Sequence, residues 1–250
     1  LDPSRVDIIT AGAIILEQTF SELSIEEMVV SESALREGIL FDSIGKAFSW
    51  KTSHYLHDIR MNNIIHLAET FNVEYGHAKH VSKLALEIFE KTKELHHFTE
   101  REKEFLEAAA LLHETGLFIS HAQHHRHSYY LIRNAELPGF TENEKEIIAN
   151  IARYHRKSHP KLKHEEFQTL SPEEQNIVAK LASILRIADG LDRTHSAVIS
   201  GIECRKYGGH LRFHLIHRKT KNIEMELWGA ERKKELFEQT FHKKIKFDQN

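Results

Sequence analysis

Cysteine is almost absent. Cys204 is the single one in 250 residues, which excludes an internal disulfide framework and fits a reducing compartment; read alone, it is an inert residue of a strand. No apolar run approaches the ~18 residues that a membrane span requires. The longest near the start, "AGAIIL", is short and has acidic flanks. There is no internal repeat and no low-complexity stretch. These absences point to a cytoplasmic protein with no membrane partner.

What is present fits a soluble globular chain: 40% of the residues are apolar, and the length suits one large domain or two to three small ones. The net charge of -3 is unevenly spread. Residues 1–50 hold 3 basic and 9 acidic side chains, and residues 201–250 hold 12 and 7. A basic tail can meet a polyanion, or can be the solvated face of a small domain. The chain begins at Leu1 and enters a helical pattern almost at once, so a piece of a longer protein is expected.

"LDPSRVDIITAGAIILEQTFSEL" offers Asp2 as an N-cap and Pro3 at the first helical position. Val6, Ile9, Ala13, Leu16, Phe20 and Leu23 then recur at steps of 3 and 4, an amphipathic helix. "EEMVVS" reads as a short strand and "ALREGILFDSIGKAF" as a second helix. A single short strand needs a sheet to pair with. From about 56 to 197 the pattern is almost wholly helical, with six to eight helices expected as a compact bundle. Thr99 with Glu102 and Thr141 with Glu144 have capping-box spacing, and Ser171, Pro172 and Glu174 combine a cap, a first-turn proline and an acid. After Ser196, "AVISGIECRKY", "LRFHLIH" and "NIEMELW" look strand-like, with Gly208 and Gly209 at the first turn. A helix from about Ala230 to Phe241 and a short "KIKF" strand follow.

"LLHETGLFISHAQHHRHS", residues 111–128, holds five histidines and one acid, Glu114, directly after the first. The candidates for metal binding are His77, His113, Glu114, His127, His155 and Asp189, each on or beside a helix. Imidazole nitrogens and carboxylate oxygens gathered from several helices suit Mn, Fe or Zn, or Mg with phosphate. Glu114 is followed two positions later by Gly116 and Asp189 immediately by Gly190, which places both near a helix C-terminus, where the macrodipole disfavours acids by about 0.3–1 kcal/mol. A positive group should compensate them: a metal, Arg186, Arg193 or a protonated histidine. Each histidine taken singly is more often a surface or hydrogen-bonded residue, and His121, His124 and His125 read as a solvated polar loop. The ordered set is the more specific signal.

That set resembles the HD domains, helical metal-dependent phosphohydrolases named for an adjacent His-Asp pair. On this resemblance His77 matches the first-helix histidine, His113 the histidine of the pair and Asp189 the late aspartate. His127 in "HRHSYYLI" and His155 in "ARYHRK" match the two extra histidines of binuclear members. Glu114 departs from the pattern: its additional methylene moves the carboxylate by roughly 1.5 Å, more than metal distances tolerate unless the backbone adjusts.

The flanks carry a second resemblance. "DPSRVDIITAGAIILE" and "VVSESALREGILFD" are similar to the end of the actin-like module of the Ppx/GppA family, the exopolyphosphatases and guanosine pentaphosphate phosphohydrolases. "LLHETGL", "HRHSYYLIRNAELPGF" and "RYHRKSHP" also resemble that family. Asp7, Gly12, Ala13, Arg36, Glu37 and Gly38 match its terminal actin-like motifs, although plain helix packing serves Gly12 equally well.

The resemblance implies a mainly α fold: an α-β-α remnant of an actin-like (ribonuclease H-like) domain at residues 1–47, an HD-like helical bundle at 48–197 and a small α+β module at 198–250. It places the catalytic apparatus of the intact enzyme upstream of Leu1. That enzyme would use Mg²⁺ to hydrolyse a terminal phosphoanhydride of polyphosphate or the 5′-phosphate of guanosine pentaphosphate, a substrate of the stringent response. This chain would then bind the anion or regulate the reaction, with Arg126, Arg156, Lys157 and Arg193 on phosphate and no specific nucleic acid. A homodimer is expected with it. Two other readings stand beside this one: a self-contained metal-dependent HD phosphohydrolase acting on a nucleotide, with Mn, Fe or Zn in the HD-like site, and a dimerisation scaffold.

Overall fold

The computed structural model describes residues 6–28, 39, 52–217 and 222–249. The chain divides into two compact units, Leu1–Ser49 and Trp50–Asn250. In the first, α1 (Val6–Leu23) is the expected helix. Ile8, Ile9, Ile14, Ile15, Leu16 and Leu23 are all exposed on it. The expected caps Asp2 and Pro3, the second half of the expected strand and the second helix apart from Ile39 lie outside the described residues; Glu26, Glu27 and Met28 are not in a strand, and Ile39 is helical.

The second unit opens with eight α-helices. They are α2 (Thr52–Thr70), α3 (Tyr75–Lys91), α4 (Lys93–His96), α5 (Glu100–Leu112), α6 (His124–Arg133), α7 (Glu142–Arg153), α8 (Glu165–Gln168) and α9 (Pro172–Gly190), with a 3₁₀ turn at Thr115–Phe118 between α5 and α6. All three expected capping boxes form, at Thr99/Glu102, Thr141/Glu144 and Ser171/Glu174. In each the hydroxyl accepts a backbone N–H of the first turn, and the acid takes the N–H of the cap residue in return.

Helix α9 is the axis of the unit. It packs on α3, α5 and α7 and also on the helices that follow the bundle. Its second half is buried nearly all round, with Val178, Leu181, Ala182, Ile184, Leu185, Ile187 and Ala188 fully inaccessible, the pattern of a central rather than a surface helix. Opposite it lie Val81, Leu84 and Ile88 of α3 and Leu106, Ala109 and Leu112 of α5, also fully buried. Each large side chain so buried contributes about 1.5–3 kcal/mol.

Beyond the bundle come β1 (Ile199–Tyr207), β2 (His210–His217), α10 (Glu224–Lys233), α11 (Glu235–Phe241) and β3 (Lys244–Gln249). Strands β1 and β2 form an antiparallel hairpin, turning at Gly208 with φ 53°, a conformation that favours glycine. Strand β3 pairs in parallel with β2, so α10 and α11 form the crossover that a parallel pair requires. Ile202, Leu211, Phe213, Leu215 and Ile245 face inward. The sheet is tied to α3 by Glu87, whose Oε2 accepts Ile202 N–H at 2.8 Å, and by Lys83, which donates to Ser200 O at 2.6 Å.

The expectation of a strand in "NIEMELW" is corrected: Ile223 caps α10 and the segment is helical from Glu224 on. Ile223, Glu226, Gly229 and Ala230 are buried, a stripe of steps of 3 and 4 from Ile223, and Glu, Met and Leu are good helix formers. Of the alternating Ile, Met and Leu, only Ile223 belongs to that helical stripe, and Met225 is exposed. The helix expected from Ala230 is therefore two helices, the first starting six residues earlier. Cys204 is a half-buried residue of β1 as expected, its thiol pushed up to about 11 by burial.

Candidate metal centre

Four elements converge near the end of α9. His77 stands in the first turn of α3, His113 caps the end of α5, Glu114 follows as the chain enters the 3₁₀ turn, and Asp189 is the last residue but one of α9. One ligand atom each from His77, His113 and Glu114 lies within 4.8 Å of the others. His77 Nε2 is 4.0 Å from Glu114 Oε2 and 3.8 Å from Asp189 Oδ1. The longer side chain of Glu114 is accommodated because residue 114, with ψ 5°, has left the helix.

The far nitrogen of each ring is fixed. His77 Nδ1 is 2.8 Å from Asp192 Oδ2, His113 Nδ1 is 2.8 Å from Ala110 O and His155 Nδ1 is 2.6 Å from Ala152 O. A carbonyl can only accept, so Nδ1 carries the proton in His113 and His155, and each Nε2 presents a lone pair when the ring is neutral. Burial, the main cause, keeps both rings below the ordinary imidazole pKa. His77 goes the other way. Burial opposes its protonation, but the Asp192 hydrogen bond and the carboxylates of Glu114 and Asp189 outweigh burial and raise it.

The fit to a metal rests on three buried atoms. His77 Nε2, His113 Nε2 and Glu114 Oε2 have no hydrogen-bond partner, although each such atom costs about 1–3 kcal/mol when left unsatisfied. Donors bonded to one ion at about 2.0–2.2 Å stand about 3–4.4 Å apart, so this set closes on an ion with small rotations. Two imidazoles and a carboxylate suit a transition metal.

Other expected residues are placed differently. His155 is buried and packs edge-on against His113, ring centroids 4.9 Å apart. The side chain of His127 makes no hydrogen bond, ion pair or ring contact among the described residues; His124 stands at His155 in its place, with the two Nε2 atoms 3.2 Å apart. The reading of His124 as a solvated loop residue is thus corrected. It is 5% exposed, and burial together with Arg156 lowers its pKa to about 4. Helix α6 begins at His124, after Gln123 in the left-handed region, and this turns the ring inward.

The compensating charge also differs from the expected one. Asp189 is ion-paired with Lys233 of α10. Burial opposes its ionisation, yet Lys233 and the nearby histidines hold its carboxyl well below the usual range. Arg186 instead donates to the carbonyls of Tyr154 and Lys157, and Arg193 is exposed. Of the expected phosphate ligands, Arg156 alone touches the histidines, its Nη1 3.1 Å from His124 Nδ1. Arg126 bonds Gln123 and Lys157 is exposed. Of the actin-like motif, Asp7, Gly12 and Ala13 lie on α1, whereas Arg36, Glu37 and Gly38 lie outside the described residues.

Comparison with family models gives residues 59–236 as Ppx/GppA phosphatase, domain III, and residues 1–47 as Ppx/GppA phosphatase family. The chain belongs to the Ppx/GppA phosphatase family. Every group of the centre, Lys233 included, falls within the part of this Ppx/GppA chain that matches domain III. The chemistry expected of a phosphatase is transfer of a phosphoryl group to water, a reaction governed by positioning and charge. Asp192, His195 and Lys233 join the centre without having been singled out in the sequence, as does His124, expected there to be a solvated loop residue. His195 stacks on His77 at 3.6 Å between centroids and bonds Glu74 at 2.8 Å. Asp192 lay in view in "RIADGLDR", three residues after Asp189, on a helical period.

Proposed function

We propose that this chain serves hydrolysis of a phosphoanhydride, the terminal one of polyphosphate or the 5′-phosphate of guanosine pentaphosphate. On this reading its helical unit carries an HD-like metal centre at His77, His113, Glu114 and Asp189. The observation that supports it is the convergence of three buried donor atoms that have no other partner. A divalent ion bound there supplies positive charge to a phosphoryl oxygen.

The chain's own residues do the rest. Asp192 holds His77 in one tautomer and one orientation, as the carboxylate behind a metal-binding imidazole does. The carbonyls of Ala110 and Ala152 do the same for His113 and His155. Arg156, half-buried at the histidines, offers a planar fork of donors for an anion that enters there.

The test is metal content of the untagged protein purified without chelator, by plasma mass spectrometry. About one equivalent of Mn, Fe or Zn, lost in His113→Ala, is the expected result. Protein that stays empty when challenged with these metals would overturn the reading.

A further inference from the structure

Asp189 and Lys233 are 44 residues apart in sequence, on α9 and α10, and each is largely buried, with 13% and 19% of the side chain exposed. Two backbone features fix how α10 sits. A Cβ on Gly229 would lie 2.3 Å from Gly190 O, and one on Gly190 would lie 2.8 Å from the backbone of Gly229 and Ala230. The two glycines therefore let the helices touch main chain to main chain. Lys233 is one turn beyond Gly229 on the same side of α10, as Gly190 directly follows Asp189. At the other end of α10, buried Glu226 accepts Thr194 N–H at 3.3 Å and the Thr194 hydroxyl at 2.5 Å.

The Asp189 carboxylate is consequently divided. Oδ2 faces the ammonium of Lys233, and Oδ1 faces His77 Nε2. An ion among His77, His113 and Glu114 would draw on the same carboxylate and would be repelled by the ammonium.

We propose that Lys233 is the resident counter-cation of the histidine centre and competes with the divalent metal for Asp189, so that the seating of α10 on α9 sets metal affinity. This rests on the metal reading above. The two consequences have opposite signs. Without Lys233, Asp189 has lost its partner and the metal-free protein is less stable; for the same reason a metal gains more by binding. A residue of purely structural importance would weaken both.

The experiment is calorimetric titration of the full chain with Mn²⁺, for wild type, Lys233→Gln and Lys233→Arg, together with thermal melting in chelator. Lys233→Gln is expected to bind Mn²⁺ at least about tenfold more tightly and to melt at lower temperature in chelator, while Lys233→Arg stays within about threefold of wild type. Mn²⁺ binding by Lys233→Gln alone would be the limiting case in favour. Wild-type binding with equal or weaker affinity in Lys233→Gln would overturn the competition and leave the metal reading intact. No binding by any of the three would overturn both. Should Lys233→Gln fail to fold, Gly229→Ala moves α10 without removing the charge, and tighter Mn²⁺ binding is expected there too; unchanged affinity in a folded Gly229→Ala would count against the proposal.

Discussion

His77 Nδ1–H donates to Asp192 Oδ2 across 2.8 Å, with both side chains out of contact with solvent. The bond fixes the ring that faces Glu114 and Asp189. Asp192→Asn removes the charge, and its amide accepts through one oxygen only, which already has Ala197 N–H as a competing donor at 2.8 Å from the carboxylate. Metal affinity is expected to fall by about 10–100-fold, read by titration calorimetry with Mn²⁺. An unchanged affinity would show that Asp192 does not orient His77.

Gly116 is expected to be intolerant of a side chain. A Cβ there would lie 2.0 Å from His124 O and 2.4 Å from Ser128 N, and its own N–H already donates to Ser128 Oγ at 2.9 Å. Gly116→Ala must push α6 away and should cost about 1–3 kcal/mol, measured by urea unfolding. The His124 imidazole resonances should shift with it, because His124 is the first residue of α6.

Ser171→Ala should cost about 0.5–2 kcal/mol. Its hydroxyl accepts Glu174 N–H at 3.3 Å, while Glu174 Oε2 accepts Ser171 N–H at 2.7 Å. The effect is sharpest on α9 because that helix bears the centre of the core. Equilibrium unfolding in urea reports it, and a loss within error would mean that Pro172 and packing define the start unaided.

His96 supplies a pH dependence away from the centre. Its Nε2–H donates to Phe89 O at 2.9 Å and its Nδ1 accepts Phe98 N–H at 3.0 Å, an arrangement open only to the neutral ring. Burial, with Lys180 and His97 nearby, lowers its pKa from 6.5. In the unfolded chain the ring takes a proton as pH falls below about 6.5, and in the fold it does so only at lower pH. Its contribution to stability is thus present above 6.5 and is lost as pH falls towards the folded value. Melting temperature between pH 7 and 5 should decline more steeply for wild type than for His96→Gln; parallel curves would remove His96 as a cause.

The local signals were the legible ones. Three capping boxes, the Ser171–Pro172 start and the hairpin turn at Gly208 each depend on residues within four positions, so spacing alone reveals them. The ordered histidines and acids were legible as a set, and His77, His113, Glu114 and Asp189 do meet. The choice between His124 and His127 was not, because it turns on the left-handed Gln123 that starts α6. Lys233 was hidden for a different reason: nothing near residue 233 signals an acid 44 positions earlier, and the segment that delivers it imitated a strand. Those errors are connected: Lys233 falls within the helix expected from Ala230, but starting that helix there leaves out Glu226 and Gly229, which seat α10 on Thr194 and on α9.

The parallel pairing of β3 with β2 has a dynamic consequence. The chain between them must return along the bundle, and α10 is the first leg of that return. Releasing β3 slackens the leg that presses Lys233 against Asp189, so amides of β3 and α10 are expected to exchange with solvent deuterium in the same opening event. An ion that prefers the opened arrangement would prolong it, and occupancy of a buried histidine cluster would then be written in the exchange rate of a strand on the far edge of the sheet.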